Sequence, residues 1–232
     1  MQRAEVAKQY CMLRLLHFPL GPFSRKVRIL LREKELEASL EAVEPWRQRE
    51  DVAALNPAAE VPVLLDRDRV VVDSGAICEY LDETRPEPRL LGLDPTERAE
   101  VRRLAAWFDL KFLREVTDLI WREKVLKFVA DRDTPNSAAV RIGVANLHAH
   151  LAYIGFLFEQ RNWLAGDHIS LADIAAGAHL SVLDYLGDVP WEAHPGAKLW
   201  YARLKSRPSF RPLLADRLPC LKPAAHYDDL DF

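Results

Sequence analysis

The repeat of apolar residues along this chain changes character at one place. Before Arg85, short apolar runs alternate with one amphipathic helical stretch after another. After Leu93, only long helical stripes remain. A strand shows alternate residues to one face and a helix repeats every 3.6 residues, so the two patterns specify different layers. The chain therefore reads as an α/β domain followed by an all-α one. The segment RPEPRLLGL at 85–93, broken by proline and glycine, is the expected linker. The remaining divisions are a lead at 1–11, an α/β domain at 12–84, a helical domain at 94–214 and a tail at 215–232.

Leu13–Phe18 is an apolar run stopped by Pro19 and predicts a buried strand. Ser24–Lys34 predicts a helix with Val27, Leu30 and Leu31 on one face and Arg25, Lys26, Arg28 and Arg32 on the others. Ser39–Val43 predicts a second strand, and a short helical turn ends near Leu55. Val61–Leu65 and Val70–Val72 predict a hairpin reversing at Asp66–Arg69. Ser74 stands where an N-cap belongs, and the helix after it ends at Thr84. The order β-α-β-α-β-β-α gives a mixed sheet with helices on its faces. Pro62 cannot donate to a ladder. Either it opens an edge strand through a cis bond, or the strand begins at Val63.

In the second half, Asp94-Pro95-Thr96-Glu97 is a helix start. Leu104, Phe108, Phe112, Leu119, Val125 and Phe128 extend its apolar stripe until Asp131–Asn136. Ser137 is the expected cap of the next helix, whose stripe is Val140, Val144, Leu147, Leu151, Ile154 and Phe158. His148 and His150 are two residues apart, hence on different faces and poor joint metal ligands. Ser170–Asp173 forms a capping box with Asp in place of Glu, before a helix rich in small residues. A last helix from Pro195 to Ser206 is expected to bury Leu199, Trp200 and Leu204.

Charge and cysteine content narrow the function. Thirty-two basic against 35 acidic residues leave a net charge of −3, which disfavours a nucleic-acid role. The cysteines, Cys11, Cys78 and Cys220, are odd in number and contain no CxxC pair, which fits a reducing cytoplasm and no cysteine metal site. Apolar runs fall far short of the ~18–20 residues that span a bilayer. Met1–Cys11 has no apolar secretory core and reads as a disordered lead or an over-long start.

Four motifs in order, Pro22-Phe23-Ser24, Asn56-Pro57-Ala58-Ala59-Glu60-Val61-Pro62, Asp73-Ser74-Gly75-Ala76-Ile77 and the Ser170–Asp173 box, resemble the glutathione S-transferase superfamily. The resemblance implies a thioredoxin-like N-terminal domain, an all-α C-terminal domain and a cis Pro62. It also implies a vestigial glutathione site. There Val61 and Pro62 face the cysteinyl unit, while Asp73 and Ser74 hold the γ-glutamyl end, unless these two merely cap their own helix. Many members carry Ser or Cys directly before Pro-Phe; Gly21 occupies that place, so no catalytic residue is assigned. Neither His17 nor Tyr10 takes that place, and Ser24 suits an N-cap better. Glu60 stands where several members carry Lys or Gln, and would repel the glycyl carboxylate by about 1 kcal/mol or more at ~4–6 Å. No cofactor is expected; glutathione would bind only if the chain were a transferase or peroxidase acting on small electrophiles.

Phe18–Lys26, Glu44-Pro45-Trp46 and the terminus Asp228-Asp229-Leu230-Asp231-Phe232 resemble an FtsZ-binding, cell-division branch of the superfamily. That branch implies a cytoplasmic homodimer at the division site. It would bind FtsZ filaments, bundle and curve them, and link the Z-ring to the septal wall-synthesis machinery. Trp46 is either a satellite of the core or an exposed aromatic anchor, and the resemblance favours the anchor. Asp228, Asp229, Asp231 and Phe232 are the expected partner contacts of the tail.

Overall fold

The computed structural model describes residues 13–44, 46–47, 49–131, 133–219 and 221–230. The expected lead at 1–11 and two of the expected partner contacts, Asp231 and Phe232, lie outside the described residues. The chain forms two compact units, Met1–Pro88 and Arg89–Phe232.

In the first unit, β1 (Leu13–His17), β2 (Ala38–Ala42), β3 (Val63–Asp66) and β4 (Arg69–Val72) form one sheet in the order β2-β1-β3-β4. β1 and β2 are parallel, with Leu15 opposite Leu40; β1–β3 and β3–β4 are antiparallel. Helices α1 (Pro22–Glu33), α2 (Glu50–Leu55) and α3 (Ser74–Thr84) complete the unit. The parallel pair is joined through α1 and the hairpin is tight, as the residue pattern requires. The Val61–Pro62 bond is cis, but β3 starts at Val63 and lies between β1 and β4, so the proline precedes an inner strand and does not open an edge strand.

Two local expectations for α1 fail. Arg25, Lys26 and Arg28 do not face water; all three are buried. Arg25 Nε donates to the Pro19 carbonyl at 2.8 Å, and Arg28 donates to the same oxygen at 3.5 Å. Burial of cations is tolerated only with such partners. Ser24 is not the N-cap of α1. Gly21 holds that position with extended backbone, and the Ser24 hydroxyl accepts from Phe18 N at 3.0 Å, tying the β1 exit to the helix.

The second unit begins with α4, which spans 95–131. It is α-helical over Pro95–Ala106, π-helical over Trp107–Thr117, α-helical over Asp118–Trp121 and π-helical over Arg122–Asp131. Asp94 caps it, accepting from Thr96 N and Glu97 N. The wider π turns re-phase the stripe. Leu104, Phe108, Phe112, Val116 and Ile120, four apart, are buried, whereas Leu119 is half-buried and Phe128 exposed. Of the expected stripe, Leu104, Phe108, Phe112 and Val125 are buried, while Leu119 and Phe128 lie off the core face.

α5 (Ser137–Gln160) is capped by Asn136, not Ser137: its carboxamide oxygen accepts from Ala138 N and Ala139 N. α6 (Leu171–Leu186) is buried from Leu171 through Tyr185 and carries the expected capping box. A Cβ at Gly177 would stand 2.2 Å from the Leu204 Cδ2 methyl of α7 (Pro195–Lys205), so any larger residue there forces that buried side chain to repack. Trp200, Tyr201 and Leu204 are the buried face of α7; Leu199 is exposed, one step off that face.

The tail after α8 (Arg211–Leu214) is not a free end. Tyr227 is fully buried and its hydroxyl donates to the Leu213 carbonyl at 3.1 Å. Tyr185 OH donates to the Leu221 carbonyl at 2.6 Å, and Ala224 N donates to the Tyr185 carbonyl. Buried Asp184 accepts from Trp191 Nε1 (2.8 Å), Tyr201 OH (3.2 Å) and His226 Nε2 (2.9 Å), with Lys205 Nζ at 3.5 Å. The folded unit therefore runs past Leu214 to Tyr227, because an aromatic plug fills the core there.

Candidate functional site

The loop from β1 to α1, the cis proline and the start of α3 lie within the first unit. Gly21 N donates to the Phe18 carbonyl at 2.9 Å, closing a tight turn ahead of Pro22. A Cβ on Gly21 would lie 3.2 Å from that carbonyl and 3.4 Å from Ser24 Oγ. A serine side chain is tight there but not blocked. In the native chain nothing at this position can donate to, activate or replace a thiol.

Val61 is half-buried, two residues before the β3–β4 ladder begins. Ala59, before it, has φ of 55°, a left-handed conformation that favours glycine. The Asn56 carboxamide holds this turn: Nδ2 donates to the Glu60 carbonyl at 2.8 Å and Oδ1 accepts from Ala58 N at 3.1 Å. The Glu60 side chain is exposed.

The cap of α3 is Asp73, not the expected Ser74. Asp73 is the N-cap of α3, at φ 71°, and its Oδ1 accepts from Ala76 N at 2.9 Å. Ser74 is the first helical residue and is buried; its hydroxyl accepts from Lys26 Nζ at 3.5 Å. The Asp73 carboxylate is exposed and accepts this one bond among the described residues, so it retains acceptor capacity for a cation. Lys26 escaped the sequence reading. The sequence places it only among the cations off the Val27 face of α1, and the fold alone brings it to Ser74.

Trp46 lies in the loop between β2 and α2. It is half-buried, edge-to-face on Phe18 with ring centroids 5.4 Å apart. It is thus both a satellite of the core and partly available. Arg49 stiffens the loop by bonding Glu41 at 2.8 Å and Asp51, whose carboxyl it holds below the usual range. In the second unit, Asp228 is exposed and paired with Arg217 at 2.6 Å, while Asp229 is exposed beside it. The site residues expected from sequence thus fall into three places: the α3 start with the cis proline, the Trp46 loop and the end of the tail.

A mixed sheet with a cis proline before β3, an acidic cap on α3 and a separate helical unit with a buried capping box define the class. The glutathione S-transferase N-terminal domain profile matches residues 15–89 and the C-terminal domain profile residues 128–203, and the chain belongs to this family. Within it, the chain is similar to FtsZ-localized protein A of Caulobacter vibrioides, with 52% identity covering 93% of this chain and 96% of the relative. Among solved structures it is similar to a glutathione S-transferase from Rhodospirillum rubrum F11, at TM-score 0.94 and 54% identity. That match covers 95% of this chain and all of the other. It is also similar to FzlA from C. crescentus, at TM-score 0.92 and 51% identity with the same coverage.

Proposed function

We propose that this protein acts in cell division as an FtsZ-binding member of the glutathione S-transferase family, without transferase chemistry. The carrying observation is 52% identity, over nearly the full length of both chains, to a protein named for its localisation with FtsZ. Gly21 in the place of a thiol-activating side chain supports the non-enzymatic part. Under this reading the protein is a cytoplasmic homodimer at the division site. Two equal surfaces let it hold two filaments by avidity, and so bundle and curve them. Trp46 contributes to the filament contact. Asp228, Asp229, Asp231 and Phe232 face a second partner, the septal wall-synthesis machinery.

The transferase reading rests on a specific observation too. The cis Val61–Pro62 bond and the spare capacity of Asp73 keep part of a glutathione cradle. One paired experiment decides between the two. The full chain is co-sedimented with FtsZ polymers, and separately passed over immobilised glutathione and assayed with a chlorinated aromatic. Co-pelleting, flow-through and no turnover are expected. Trp46→Ala is expected to weaken co-pelleting by about 2 kcal/mol, roughly thirtyfold. Retention with turnover near ~1–10³ per second and no co-pelleting overturns the proposal.

A further inference from the structure

His148 and His194 are 46 residues apart in sequence and in contact in the fold. His148 Nδ1 lies 2.9 Å from His194 Nε2, with ring centroids 5.1 Å apart and the rings tilted by 52°. His148 projects from the exposed side of α5. His194 is the residue before Pro195 and caps the start of α7. Two imidazole nitrogens bound to one tetrahedral ion at about 2.0–2.1 Å stand ~3.3 Å apart. In the metal-free chain the two nitrogens share a hydrogen bond; an ion between them replaces its proton, opens the separation by a few tenths of an ångström and turns each ring about 35° off the N–N line.

The scaffold holds the pair in place. Gly155 lies seven residues after His148, on the same face of α5. A Cβ added to Gly196 would stand 3.2 Å from Gly155 Cα, so the two backbones touch at the crossing of α5 and α7. Lys198, the nearest cation along α7, is paired with Glu192 at 2.6 Å. Among the described residues no third His, Cys, Asp or Glu completes a cluster, so the remaining positions fall to water.

We propose that His148 and His194 form a two-histidine site for a divalent transition cation of the zinc or copper type, clamping α5 to α7. Imidazole suits these ions and not magnesium or calcium. The site is open, as expected of an ion that exchanges with solvent.

The full chain, without an affinity tag and stripped with chelator, is titrated with Zn²⁺ by calorimetry. Cu²⁺ is added for electron paramagnetic resonance. One ion per chain is expected, with hyperfine structure from two nitrogens. Affinity should fall at least about tenfold in His148→Ala and again in His194→Ala. Zn²⁺ should raise the melting temperature of the native chain and leave that of the double variant unchanged. His148→Gln keeps a hydrogen-bonding partner for His194 but weakens metal binding, which separates the site from a purely structural contact. Equal binding by the native chain and the folded double variant overturns the proposal, as does no binding by the native chain.

Discussion

Two aspartates start helices in the two units of this molecule, and they are used in opposite ways. Asp173, in α6, is fully buried and its acceptor positions are filled. Oδ1 accepts from Leu164 N at 2.9 Å and Trp200 Nε1 at 3.0 Å; Oδ2 accepts from Ser170 N and Ser170 Oγ, both at 3.0 Å. Asp73, before α3, is exposed, stands at φ 71° and accepts one bond. A carboxylate saturated by its own fold has nothing left for a ligand. One held in a left-handed conformation with spare lone pairs does. The same residue at a helix start is thus saturated in one unit and keeps spare acceptor capacity in the other, and burial with bond count tells them apart.

The largest effect should come from the saturated aspartate. Asp173→Ala leaves the Leu164 and Trp200 N–H groups buried without an acceptor and should cost about 3–5 kcal/mol, read by denaturant unfolding. Asp173→Asn should cost less, because one oxygen survives while the amide meets donors on its other side. A change below 1 kcal/mol for the alanine variant would break the comparison.

Tyr227→Ala comes next. Loss of a fully buried aromatic should cost about 3 kcal/mol or more and lower the melting temperature. Removal of the chain before Tyr227 should do at least as much. The partner role of the terminus is therefore tested better by Asp229→Asn, which neutralises an exposed residue and should change the melting temperature little, whereas Asp229→Lys would also set a cation near buried Lys205.

A pH measurement sharpens the contrast between burial and bonding. Arg103 outweighs the opposing effect of burial and, with a smaller contribution from Arg161, holds Glu100 down from 4.5 to about 2. A lowered folded value means its contribution is present above the unfolded value and is lost as pH falls from about 4.5 through about 2. Asp173 goes the other way: burial outweighs its four bonds and raises it. Its contribution is therefore complete at low pH and declines as pH rises above its unfolded value of 3.8. Glu100→Gln should flatten the acid side of the stability curve relative to the native chain; an unchanged acid slope would show that solvent screens the Glu100 pairs.

The smallest effect belongs to Asp73. Asp73→Ala removes one exposed cap bond and should cost about 1 kcal/mol. If the residual cradle still binds glutathione, the same change should abolish that weak binding, read by calorimetry at millimolar ligand.

The sequence by itself determined whatever is satisfied within a few residues. The Asp94 cap, the Ser170–Asp173 box, the hairpin reversal and the mixed sheet were legible because a helix end or a tight turn finds its partners three or four positions away. Even there, caps were misplaced by one residue at Ser74 and Ser137, since Asp and Asn compete with Ser for the same N–H groups. Only the tertiary structure decided the rest. The π-helical register of α4 follows from packing that no local propensity encodes, and it moved Phe128 off the core. Lys26 reaches Ser74 across 48 residues, His148 reaches His194 across 46, and Asp184 reaches His226 across 42. Such pairs carry no spacing signal, because their ends meet only after sheet and helices have closed and the entropy of the intervening chain has been lost.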